Sequence, residues 1–361
     1  MKSQVELKLQ KIADIWNHYI LEYSFCNNRI KYDSDAKTNY FGDILGYFQD
    51  TFDLVFKEKQ VNNFNDSFVR NISLLQAIYI HQDFITELLL LFKCNISKGD
   101  LKKDPNYYLN RDIRNELIGH PIRKEIKGDR LISSTSFAYH NEKDKLKYLR
   151  YHKNNNFKFE IMTFNYSDII QRHEDFLNYY FDVILCKLKE VLNDFVKKIN
   201  EIETIIATQN FETILKITSI FFESVFKNNF ISDVESLKLI YTKRTLHNRY
   251  QNHIDLFINN LKEYLVETKL NILNLYKPIK NQITINYSKT KDSISYHYEI
   301  GKLATRKDED YYFQFASSVL KDKCNKNKIV LEELNHMEKN LNNDIEYYCS
   351  LDLIRTELKM T

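Results

Sequence analysis

The sequence predicts a mainly α-helical fold with a small antiparallel β-flap in its first half and a second, mostly helical domain after it. Three observations carry this expectation. Only 6 glycines and 3 prolines punctuate 361 residues, so little breaks a helix. Apolar residues recur at helical spacing through most of the chain, and that period gives way to alternation in one stretch between about Leu131 and Ile161. With 43% hydrophobic and 28% charged residues the composition is globular, and the length leaves room for two domains. The boundary is expected near the end of a long helix, giving residues 1–205 and 206–361.

Val5 to Tyr23, Tyr40 to Phe56 and Phe68 to Phe92 read as three helices separated by Asn- and Asp-containing breaks. A fourth, about Pro105 to Ile118, is better marked. Asp104 can cap it, Pro105 suits its first position, Leu109, Ile113 and Leu117 form one stripe, and Gly119 and Pro121 end it. After the Gly128-Asp129 turn signal the pattern alternates at Leu131 to Tyr139, at Leu146 to Tyr151, and at Phe157, Phe159 and Ile161, which predicts the flap. Ser167 or Asp168 then opens a long helix whose Leu177, Phe181, Ile184, Leu188, Val191, Phe195 and Ile202 follow a near-heptad seam, read as bundle core before coiled coil. Beyond it, Ile283, Ile285, Tyr287 and Ile294, Tyr296, Tyr298 suggest a β-hairpin within 283–300. Leu334, Met337, Leu341, Ile345, Tyr348, Leu351, Ile354 and Leu358 fall on one face of a C-terminal helix.

Several function classes are excluded or disfavoured. The balance of 52 basic and 49 acidic residues is too even for a protein that wraps DNA, so any nucleic-acid site must be local. No GxxxxGK[ST] or GxGxxG cradles a phosphate. Cys26, Cys94, Cys186, Cys324 and Cys349 are scattered, without a CxxC, which fits reduced thiols in a cytoplasm. The opening MKSQVELKLQKIADIW mixes charges into its apolar residues, unlike a signal peptide. The most apolar run, Phe84 to Phe92, is less than half the roughly 20 residues of a membrane span. The expectation is a cytoplasmic protein that engages no membrane and requires neither metal nor cofactor.

One constellation suits chemistry. Around the end of the fourth helix the chain reads Arg111-Asp112-Ile113-Arg114-Asn115-Glu116-Leu117-Ile118-Gly119-His120-Pro121. Helical spacing brings Arg111, Arg114 and Asn115 together, and Gly119 lets the chain turn so that His120 can approach them. An imidazole can take a proton from a ribose 2′-hydroxyl or give one to a leaving 5′-oxygen, while a guanidinium fork holds the phosphate. Asn115 cannot titrate, and its role would be to orient its neighbours. From Lys93 to Arg130 ten basic residues face six acidic ones, a local excess above that of the whole chain.

Arg114-Asn115 followed by His120 resembles the R-x(4 to 6)-H signature of HEPN-domain ribonucleases, in which a polar residue commonly follows the arginine. Helices before the motif, an inserted flap and a long closing helix extend the resemblance over roughly residues 1 to 205. It implies a metal-independent endoribonuclease that leaves a 2′,3′-cyclic phosphate, with Arg114 on the phosphate, Asn115 as the polar neighbour and His120 as the acid/base. With a single motif in the chain it implies a homodimer or a second HEPN-bearing partner. Members commonly act as toxins or antiviral abortive-infection effectors, so an antitoxin or regulatory partner is also implied. Arg111 and Asp112 are kept as supporting residues, and Tyr107 and Tyr108 as candidates for base stacking.

Bland readings stand beside these. His120 could merely cap helix carbonyls, Arg114 could pair with Glu116, and Arg244, His247, Arg249 and His253 read as a solvated helix face. The alternatives to an enzyme are a non-catalytic helical scaffold for dimerisation and partner binding, and an RNA-binding module without chemistry.

Overall fold

The computed structural model describes residues 4–30, 40–57, 63–126, 129–139, 144–222, 233–277, 296–305 and 310–360. The chain is mainly helical with a small four-stranded antiparallel sheet. It divides into two compact units, Met1–Leu21 with Cys26–Val191, and Glu22–Phe25 with Leu192–Thr361. The division falls within the helix of residues 166–208.

In the first unit α1 (Gln4–Ile15) passes into a π-helical turn, Trp16–Ile20, and is followed by α2 (Tyr40–Phe56), α3 (Phe64–Leu91) and α4 (Pro105–Arg114). The start of α3 precedes Phe68 because the Asn63 side chain accepts the Asp66 N–H at 3.0 Å. Asp104 caps α4 by accepting the Asn106 N–H at 2.8 Å, with Pro105 in the first turn as the sequence predicts. Trp16 is fully buried and stacks on Phe41 at 4.0 Å. By length and composition α3 could also cross a membrane. In this fold 56% of its most apolar stretch is buried, as for a helix at the centre of a bundle.

The flap is a meander of β1 (Ile122–Lys124), β2 (Leu131–Phe137), β3 (Lys145–His152) and β4 (Phe159–Asn165), paired in that order. The edge strand β1 went unanticipated, since three residues show no alternation. Phe157 is not in a strand: with Asn156 it forms a left-handed turn, φ 54° and 52°. Leu146 and Tyr148 of β3 bury with Leu74 and Ile78 of α3, Ile113 of α4, and Leu117. This shared core fixes the flap beside the end of α4. The long helix α5 (Tyr166–Thr208) follows, with every seam residue predicted above buried.

Two buried histidines tie α2, α3 and α5 together. Thr51 donates its hydroxyl proton to the Tyr47 carbonyl at 2.7 Å, so it must accept from Nε2–H of His81 at 2.8 Å. His81 Nδ1 is then bare and accepts from Nε2–H of His173 at 3.0 Å, which leaves His173 Nδ1 as a buried atom without a partner. Both rings are neutral, and burial pushes their pKa values down, that of His81 to about 3. A folded pKa below the unfolded value of about 6.5 makes the unfolded state the better proton binder. The stabilisation is therefore whole above about pH 6.5 and is lost as pH falls toward the folded values, at about 1.4 kcal/mol per unit and ring. Urea unfolding at pH 7.0 and 5.5 should differ by about 2–3 kcal/mol, and by about half that in His173→Phe. Equal midpoints in the wild type would refute the neutral pair.

The second unit contains α6 (Phe211–Phe221), α7 (Val234–Thr242), α8 (Asn248–Asn274), α9 (His297–Thr305), α10 (Asp310–Lys323), α11 (Lys328–Lys339) and α12 (Asp344–Glu357). Of the expected hairpin, Ile283, Ile285, Tyr287 and Ile294 lie outside the described residues, and Tyr298 is in α9. The single C-terminal helix is two, because Asn340-Leu341-Asn342-Asn343 stops the first and the Asn343 side chain caps the second. The apolar face survives the break: Leu334, Met337, Leu351 and Ile354 are buried together, with Leu341, Tyr348 and Leu358 against them.

The solvated-face reading of Arg249 and His253 is overturned, as each is only 8% exposed. Arg249 makes a two-pronged pair with Glu333 at 2.8 and 3.0 Å and reaches His336 at 2.8 Å, while His253 bonds Asp352 at 2.7 Å. Burial raises the Glu346 pKa, but hydrogen bonds from Lys243 and Tyr250 outweigh it and hold the carboxyl at about 2. A polar stripe had read as surface because its carboxylate partners are about a hundred residues away in sequence.

Candidate functional site

The helix through Arg114 does not end in a regular turn. Asn115–Gly119 forms a π-helical turn, in which the His120 N–H bonds the Asn115 carbonyl at 2.7 Å. Leu117 stays in the core one turn beyond Ile113, which anchors the widened turn from below. The flap anchors it from the side. Thr135 donates its hydroxyl to the Glu116 carbonyl at 2.5 Å and its N–H to the Pro121 carbonyl at 2.8 Å. Glu116 itself turns toward the sheet, where Tyr148 donates to it at 2.7 Å and Arg150 approaches at 3.3 Å. Burial first, and then this carboxylate, push the Tyr148 pKa up.

Arg114 is consequently free of Glu116. Its Nε and Nη2 donate to Gln76 Oε1 at 3.2 and 3.0 Å, and its Nη1 donates to Asn115 Oδ1 at 3.2 Å. Its guanidinium carbon lies 3.9 Å from the Tyr79 ring centre. All these partners are neutral, and among the described residues no carboxylate pairs with Arg114. Three of its five N–H groups are used by described residues, and among these nothing cancels its positive charge. Asn115 links both halves of the motif, holding the fork through its side chain and His120 through its main chain. The His120 side chain is exposed at the mouth of this turn.

The supporting residues separate. Arg111 also lies on Tyr79, at 4.1 Å, but is neutralised by Asp83 at 2.9 Å. Asp112 is exposed. Tyr107 is 3% exposed and packs on Phe176, which removes it as a platform for bases, whereas Tyr108 is 39% exposed. Sequence reasoning missed Gln76, Tyr79 and Asp83, which share one face of α3 at positions i, i+3 and i+7. A polar stripe on an otherwise apolar helix is the signal that could have found them. A cavity of about 590 Å³ bordered by Phe56, Arg70, Leu74 and Tyr166 shares no lining residue with this site, while one of about 300 Å³ between α2 and α3 includes Gln76. Among the described residues no group of three or more His, Cys, Asp or Glu side chains is placed to hold a metal ion.

Comparison with protein-family models, curated proteins and solved structures finds no match to this chain.

Proposed function

We propose that this chain is a metal-independent endoribonuclease of HEPN type that cuts RNA by 2′-hydroxyl attack and acts as a toxin or antiviral abortive-infection effector. The observation that supports it most is the uncancelled charge of Arg114, held by neutral groups beside an exposed histidine. An arginine kept for stability alone would be expected to carry a carboxylate, as Arg111 and Arg249 do. In the reaction the 2′-oxygen bonds phosphorus, the bond from phosphorus to the 5′-oxygen breaks, an imidazole takes the 2′ proton and another supplies one to the leaving oxygen. Two imidazoles are best supplied by two copies of the chain, so a homodimer with a composite site belongs to the proposal. Arg114 steadies the charge that grows on the phosphate oxygens.

Purified full-length chain incubated with total RNA in EDTA tests this. Fragments ending in 2′,3′-cyclic phosphate are expected, and cutting that appears only on adding a divalent metal would overturn it. A second reading, the non-catalytic dimerisation and partner-binding scaffold, draws on the exposed apolar side chains of Tyr47 on α2 and of Phe68 and Val69 on α3, all bordering the smaller cavity. No cutting under either condition would favour it.

Gly119 offers a finer check. A Cβ there would meet Arg114 Nη1 at 2.5 Å and Asn115 Oδ1 at 3.4 Å. Since the atom displaced is the mobile end of a side chain, Gly119→Ala should leave the melting temperature nearly unchanged. By moving the fork it should slow RNA cleavage about tenfold or more. Full activity in that variant would show that the close approach does not set the fork.

A further inference from the structure

We infer that Gln76 is a positioning residue whose neutrality is its function: it aims the Arg114 fork without cancelling the charge, which is left for a phosphodiester oxygen of RNA; the inference rests on the nuclease reading. Two arginines of α4 make the comparison. Arg111 and Arg114, three residues apart, both reach α3 and both set a guanidinium carbon against the Tyr79 ring, 4.1 and 3.9 Å from its centre. They differ in what meets their N–H groups. α3 offers Arg111 the Asp83 carboxylate at 2.9 Å, and it offers Arg114 the Gln76 amide at 3.2 and 3.0 Å.

One amide oxygen accepts from both Nε and Nη2 of Arg114, which fixes that oxygen toward the fork and the NH2 group on the far side of the amide. A glutamate there would be nearly the same size, could offer an oxygen to each of those two N–H groups, and would make the stronger, charge-assisted pair. Stability alone favours the carboxylate. Arg249 has that arrangement, with Nε and Nη2 on the two oxygens of Glu333, and Arg111 and Arg150 also carry carboxylates. The amide gives aim with the charge kept. The rest of the cradle agrees: Tyr79 takes the face of the guanidinium and Asn115 takes Nη1 at 3.2 Å. Of the neighbouring carboxylates, Glu116 is drawn off by Tyr148 and Arg150, and Asp83 by Arg111. A cation held by a ring and two amides, with no carboxylate on it among the described residues, is prepared for an anion that arrives from outside.

Binding is measured on the full chain carrying His120→Ala, so that nothing is cut, by fluorescence anisotropy with a labelled 20-nucleotide oligouridine over a range of salt concentrations. Adding Gln76→Glu should weaken binding about three- to tenfold and lessen the steepness of log affinity against log salt by about 0.7, the share of one phosphate contact on a single strand. Adding Gln76→Met, which removes the acceptor but brings no charge, should keep the steepness. With His120 restored, Gln76→Met should slow cleavage about tenfold by loosening the fork, and Gln76→Glu about a hundredfold. Gln76→Glu should also raise the melting temperature where Arg114 is present and not in an Arg114→Met background. Affinity and steepness unchanged by Gln76→Glu overturn the inference, and so does an equal loss of steepness in Gln76→Met, since the charge would then not be what matters. A His120→Ala chain that binds no oligouridine overturns it too. The two proposals fail separately: a wild type that does not cut, with binding that falls in Gln76→Glu as expected, keeps the inference and sinks the nuclease, and a wild type and Gln76→Glu that cut equally fast do the reverse.

Discussion

His120→Ala should lower RNA cleavage by about 10²- to 10⁴-fold, the usual contribution of a positioned acid or base. Because the ring is exposed, its removal empties no packed space, and thermal unfolding should stay within a degree or two of wild type. Arg114→Ala should lower cleavage by about 10²- to 10³-fold, as when one preorganised donor to a transition-state oxygen is lost. Arg114→Lys should recover little, since a single ammonium cannot satisfy Gln76 and Asn115 while also donating to a phosphate. Single-turnover assays in EDTA, with folding checked by circular dichroism, separate these effects from KM changes. Unimpaired cutting by both alanine variants would remove the site from consideration.

Glu333→Ala should destabilise the chain by about 3–5 kcal/mol, the cost of leaving a buried charge without its partner. The Glu333 side chain is 1% exposed and that of Arg249 9%, so solvent cannot take over the two-pronged contact. Glu346 stands 3.9 Å away, already held by Lys243 and Tyr250. Replacing both partners, Arg249→Met with Glu333→Leu, should recover most of the loss, because nothing charged is then stranded. Chemical denaturation of the three proteins decides this. A loss below about 1 kcal/mol for Glu333→Ala would mean that the pair is wet or otherwise satisfied.

Local signals carried the sequence reading wherever a residue acts on its neighbours in the chain. Asp104 and Pro105 start a helix, the seam from Leu177 to Ile202 is buried at every predicted position, and the alternation at Leu131 to Phe137, Leu146 to Tyr151, and Phe159 and Ile161 falls in strands. Partnerships across the chain were not legible. Tyr107, a candidate for base stacking by sequence, is core, packed on Phe176 nearly seventy residues later. Arg249 looked solvated because Glu333 lies 84 positions away. At the candidate site the motif itself was visible, but the groups that aim Arg114 come from α3, and the π-helical turn that frees it from Glu116 depends on Thr135 and Tyr148 of the flap. Periodicity does not encode such tertiary choices.

The chain visits its second unit at Glu22–Phe25, returns to the first, and crosses again between Val191 and Leu192 in mid-helix. Tyr23 and Phe25 there press on Phe195 at 4.8 and 5.6 Å. No single scission therefore yields either half whole. A fragment beginning at 206 would lack both Phe195 and the two N-terminal rings that rest on it, and one ending at 205 would lack Phe222, whose ring lies 5.9 Å from that of Phe195. The two units are interlaced in sequence, so that neither is one continuous stretch of chain.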